Sequence, residues 1–78
     1  MSNMQLYTRA FVEVFEKNEA EVINLNYQGI EEWDSVGHMK LITLLEETFD
    51  IMFEVEDIID FESFQKGIEL LAKYNIVI

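Results

Sequence analysis

The sequence predicts an all-α fold, a small antiparallel four-helix bundle with three main helices and one short one. Three observations carry that prediction. Apolar residues recur at steps of three and four in residues 6–15, 38–49 and 64–71. Residues that cap helices precede each stretch: Ser2 or Asn3, Asp34 or Ser35, and Asp60 or Ser63. Half of the 78 residues are hydrophobic, including six Phe, three Tyr and one Trp, enough for one compact core in a single domain over residues 1–78. The chain has no Cys, so burial has to hold that core together without a staple.

The first helix is expected to run to about Lys17, with Leu6, Tyr7, Ala10, Phe11, Val14 and Phe15 on a wide apolar arc. From Asn18 to Trp33 the periodicity breaks, and Asn24, Asn26 and Gly29 favour turns. A loop this long stays ordered when its own apolar residues fold back onto the core, and Ile23, Leu25, Tyr27 and Ile30 are the candidates. Trp33 is expected to fold over this loop and the start of the next helix.

The second helix is predicted over Ser35–Phe49. His38, Leu41, Ile42, Leu45 and Phe49 form its core stripe, while Val36, Lys40, Thr43 and Glu47 form the solvent-facing one, flanked by Met39 and Leu44. If Asp34 is the cap, Ser35 falls in the first turn and its hydroxyl remains free. Backbone donors and the positive end of the helix dipole lie beside it, where a phosphate is well received. Residues 50–55 read as a connection pinned by Ile51 and Phe53. A short third helix over residues 56–60 brings in Ile58 and Ile59, with Phe61 after it. So short a helix takes its order from packing, and mobility is expected there. The last helix, from Glu62 or Ser63 to Tyr74, has Phe64, Ile68 and Leu71 on one face and Leu70 at its edge. Gly67 weakens its middle and allows close helix contact. Asn75 stops it, and Ile76, Val77 and Ile78 either pack or contact another chain.

The formal charge of −11 sets sixteen acids against Arg9, Lys17, Lys40, Lys66 and Lys73. Such a surface repels nucleic acid and anionic lipid. Eleven of the acids lie between Glu31 and Glu62, where Lys40 is the only base, so basic protein patches are the expected partners. No apolar run approaches the roughly 18 residues that span a bilayer. The first residues show no basic segment followed by an apolar one. A cytoplasmic monomer without membrane insertion is the expectation.

Asp34-Ser35-Val36, followed by Leu41-Ile42, Leu45-Glu46-Glu47 and Phe49-Asp50-Ile51, resembles the signature of acyl carrier proteins. The likeness runs without gaps from about Glu31 to Leu71. It implies an acyl-carrier-protein-like bundle in which Ser35, with Asp34 beside it, is the attachment point of 4'-phosphopantetheine, whose thiol holds acyl groups as thioesters. It further implies a phosphopantetheinyl transferase that loads Ser35 from coenzyme A. Acyl-transferring, condensing or ligase enzymes with basic surfaces would dock on Val36, Met39, Lys40, Thr43 and Glu47. Catalysis would belong to those partners, so the chain itself is not expected to be an enzyme, and the short helix would help gate a cavity for the acyl chain. Three residues depart from the family pattern: Val36 replaces the usual leucine, Lys40 stands where an acid is usual, and Trp33 is larger than the residue usual there. Val36 and Lys40 point to a specialised biosynthetic pathway, with fatty acid or polyketide synthesis as the wider context. Chain termination soon after the last helix predicts a free-standing carrier.

Each reading has a plainer counterpart. Ser35 is otherwise a simple capping residue. Ser35 with His38 would make a hydrolase only with an orienting acid, an oxyanion site and a walled pocket. His38 is either a partly buried structural residue or part of the entrance for the prosthetic arm, and it has no companions for a metal. Gly37 permits close approach of a partner or of that arm. Asp50, Glu54, Glu56 and Asp57 could hold a cation loosely but do not follow the EF-hand pattern. The alternative functions are a peptidyl or D-alanyl carrier, or an unmodified acidic helical interaction module.

Overall fold

Five helices follow one another in the computed structural model, which describes residues 1–78: α1 (Asn3–Phe15), α2 (Glu19–Val22), α3 (Ser35–Phe49), α4 (Val55–Asp60) and α5 (Phe64–Ala72). The protein is all-α, with a single isolated bridge between Asn26 and Ser63 in place of any strand. No helix is long and apolar enough to cross a membrane.

Ser2 caps α1 by a reciprocal box: its hydroxyl accepts from the Gln5 N–H, and its own N–H donates to the Gln5 side chain. The helix ends at Phe15, two residues before the expected Lys17, because Glu16 turns left-handed at φ 54°. Tyr7, Ala10, Phe11 and Phe15 are buried, with Leu6 and Val14 at the edges of the arc.

The stretch after α1 is more ordered than the sequence suggests. Asn18 accepts from the Glu21 N–H and starts the one-turn helix α2. That turn carries Val22 into the core and leaves its neighbour Ile23 outside, 42% exposed. Leu25 is buried and Ile30 half-buried as expected, but Tyr27 stays at the surface. The backbone fixes this segment from elsewhere. The Tyr27 N–H donates to the Glu62 carbonyl at 2.8 Å, and the Phe64 N–H donates to the Leu25 carbonyl at 3.1 Å. The loop is thereby tied to the connection between α4 and α5.

The 15 buried apolar residues form one core. Phe11 sits at its middle, with ring centroids of Phe64, Tyr7, Trp33, Phe15 and Phe61 at 4.9, 5.0, 5.6, 5.9 and 6.3 Å. Trp33, expected to lie over the loop, is fully buried and stacks on Phe15 at 5.0 Å. A Cβ at Gly67 would fall 2.1 Å from the Tyr7 hydroxyl and 2.3 Å from Phe61, so the missing side chain leaves the space that these two rings need against α5. The Tyr7 hydroxyl donates to the Phe64 carbonyl at 2.6 Å, and burial pushes it well above a phenol's ordinary pKa.

Ser63 caps α5 through the Lys66 N–H, and the helix stops at Ala72, two residues short of the expected Tyr74. Residues 73–75 form turns, and Ile76 and Ile78 lie half-buried against the core. The Asn3 amide donates to the Val77 carbonyl at 3.0 Å, which fastens the tail beside the start of α1. The tail therefore packs.

Candidate functional site

Asp34 caps α3: its carboxylate accepts from the Gly37 N–H and its carbonyl from the His38 N–H, both at 2.8 Å. Ser35 is consequently the first helical residue. It is exposed, and its hydroxyl takes no hydrogen-bond partner within the chain. The N–H groups that open a helix have no intrahelical acceptor, so at Ser35 and Val36 they face the same solvent as that hydroxyl. An oxygen nucleophile, two backbone donors and the positive helix end meet at one exposed point.

The two faces of α3 fall as the spacing predicts. Leu41, Ile42 and Leu45 are buried, with His38 and Phe49 half-buried at either end. On the other side Val36 is 63% and Met39 47% exposed, beside exposed Lys40, Thr43 and Glu47. Ser35, Val36, Met39, Lys40, Thr43, Leu44 and Glu47, all on α3, line one open, shallow groove that begins at the serine. Lys40 pairs with no carboxylate; the ion pairs of the molecule are Lys17 with Glu32 at 3.3 Å and Lys73 with Asp57 at 2.7 Å.

Gly37 serves the chain itself, not a visitor. A Cβ there would sit 2.0 Å from the Glu32 carbonyl oxygen and 3.3 Å from Phe15, so the loop is pressed against the first turn of α3. The Glu32 backbone N–H, and after it Lys17, hold the Glu32 carboxyl below its usual pKa.

His38 is a half-buried, hydrogen-bonded residue that also lines a hollow beside α4. The Trp33 indole N–H donates to its Nδ1 at 3.0 Å, and its Nε2 lies 2.7 Å from the Ile58 carbonyl oxygen on α4. An indole only donates and a carbonyl only accepts, so the tautomer that satisfies both carries its proton on Nε2. Both ring nitrogens are thereby engaged, and neither is bonded to Ser35.

Sequence reasoning missed a second polar cluster. Asp57, on the short helix α4, is 2% exposed. It accepts from Lys73 Nζ at 2.7 Å and from the Tyr74 hydroxyl at 2.5 Å, and the same hydroxyl accepts from the Glu54 N–H at 2.9 Å. The Lys73 ammonium, followed by the Tyr74 hydroxyl, holds the Asp57 carboxyl below its ordinary pKa. The same contact raises Lys73, and burial first, then Asp57, raises Tyr74. Asp57 is therefore committed inside the protein and is not free to join Asp50, Glu54 and Glu56 around a cation. No group of three or more His, Asp or Glu side chains is placed to hold a metal ion. The only sequence signal was a carboxylate beside Ile58 on a short amphipathic turn, and nothing local pointed to partners 16 and 17 residues away.

Compared with known proteins, the chain matches no family model, no curated protein and no solved structure.

Proposed function

We propose that this protein is an acyl carrier, with Ser35 as the attachment point for 4'-phosphopantetheine. The observation that carries the proposal is the free Ser35 hydroxyl at the exposed first turn of α3, left available because Asp34 does the capping. The group fits what the chain offers: the Ser35 and Val36 N–H groups and the helix dipole favour a phosphodiester on that oxygen. When bound, it would supply a thiol for thioester chemistry. In this reading α1, α3 and α5 are the three main helices of a four-helix bundle, α4 is the short one, and α2 elaborates the loop.

The groove along α3 is the proposed docking face. Val36, Met39 and Leu44 offer apolar contact there, and Thr43, Lys40 and Glu47 flank it. The net charge of −11 steers a transferase and acyl-handling enzymes with basic surfaces toward it, raising encounter rate more than affinity. Fast arrival with ready release suits a shuttle. Catalysis lies with the partners, and a cytoplasmic monomer is the form proposed.

Intact-mass measurement after incubation with coenzyme A and a broad-specificity phosphopantetheinyl transferase tests the reading. One phosphopantetheine is expected on the wild type and none on Ser35→Ala. No gain with several transferases would leave an unmodified interaction module, for which the exposed Val36 and Met39 are the supporting observation.

A further inference from the structure

The seam between α3 and α4 is closed from within by a continuous chain of contacts. Phe15 stacks on Trp33, Trp33 lies parallel to His38 at 6.2 Å, and Tyr27 meets both rings edge-on. Two hydrogen bonds run through the same side chains, from the Trp33 indole to His38 and from His38 to the Ile58 carbonyl. Behind them Phe11, Phe61 and Phe64 fill the middle of the bundle. Asp57 holds α4 from its other side through Lys73 and Tyr74. A mostly apolar hollow of about 310 Å³, lined by Tyr27, His38, Ile58, Ile59, Phe61 and Glu62, lies outside this seam.

A hydrocarbon chain entering between α3 and α4 would have to part both hydrogen bonds of His38 and displace aromatic rings from a packed core. Leaving the indole N–H and the Ile58 carbonyl unpaired is unfavourable, and packed interiors do not absorb added carbons without strain. The shallow face of α3 that starts at Ser35, where Val36, Met39 and Leu44 stand among polar neighbours, is by contrast open and requires no rearrangement. We infer that a group tethered at Ser35 is carried outside the bundle, and that its class is a short acyl group, not a long chain withdrawn into the core. His38 is the residue that keeps the interior shut. The biological meaning of this inference rests on the carrier reading, but the closure itself does not.

The test exploits two features of the composition. The chain has no Cys, so Ser35→Cys offers a single thiol, and Trp33 is the only Trp, placed against His38. The full-length variant is converted to mixed disulfides with methyl or octyl methanethiosulfonate, and Trp33 emission and Tm are recorded. The two conjugates are expected to match in both. An octyl conjugate that shifts Trp33 emission and melts several degrees above the methyl one would overturn the inference. In the Ser35→Cys, His38→Ala background the octyl conjugate is expected to melt higher than the methyl one, because the seam has lost its pin. Equal melting there would overturn the role given to His38. No transferase is involved, so a failure of enzymatic loading would count against the proposed function alone, and alkyl entry against the closed seam alone.

Discussion

Ser35 owes its availability to its neighbour. Had Ser35 been the cap, its oxygen would be spent on the backbone; because Asp34 takes that bond, a hydroxyl is left facing solvent at a partially positive helix end. Gly37, two residues on, is as strongly specified. Gly37→Ala gains about 1 kcal/mol of helix propensity but drives a methyl into the Glu32 carbonyl. Overpacking of that kind costs about 1–3 kcal/mol. Urea denaturation is expected to show net destabilisation; a more stable variant would mean that the loop yields freely. Phe11→Ala removes the ring on which five others converge. Its expected loss, about 3–5 kcal/mol, is large for a domain of this size. A chemical-denaturation midpoint close to wild type would contradict the central place given to that ring.

Among the elements, α3 was the most legible and α4 the least. Fifteen residues of clean periodicity fix both faces of α3, and its predicted bounds coincide with those observed. The four-residue α2 lay hidden in a stretch whose Asn and Gly content favours turns, since one helical turn leaves no periodicity to detect. The solvent face of α3 could be read from spacing; the contacts of His38 and Asp57 could not, because they join residues 20, 16 and 17 positions apart. Those contacts govern α4, which has no side-chain cap of its own. Tyr74→Phe strips one hydrogen bond from the buried Asp57 and one from the Glu54 N–H. It is expected to cost about 1–3 kcal/mol and to speed amide exchange in α4 before the rest of the chain; unchanged exchange there would contradict the hold that Asp57 and Tyr74 have on α4. The same cluster sets an acid response. Asp57 is held below its unfolded pKa, so its contribution is present above about pH 3.9 and is lost as pH falls through the lower folded value. The stability difference between wild type and Asp57→Asn is therefore expected to be full near neutrality and to shrink in acid. A difference independent of pH would show that the carboxylate charge is not what holds α4.

At the scale of the molecule, one aromatic core carries the fold, and the proposed function gives the steering of partners to an acidic surface. Of the eleven acids between Glu31 and Glu62, all but the buried Asp57 are exposed or half-exposed around the serine helix and the segment after it. Composition revealed that surface at once, since charge needs no structure to be counted. The aromatic cluster was legible only as a list of core candidates, because which rings meet depends on long-range packing such as that of Tyr7 and Phe61 against Gly67. The field predicts salt-sensitive association: a basic partner's on-rate is expected to fall about tenfold or more as salt rises, with dissociation much less affected. An on-rate indifferent to salt would remove steering from the proposal. The most direct measurement of the central claim is peptide-level mass spectrometry on protein incubated with coenzyme A and a phosphopantetheinyl transferase. A single adduct confined to Ser35 is the expected result, and a chain that stays unmodified, or carries the group on Ser2 or Ser63 instead, would contradict it.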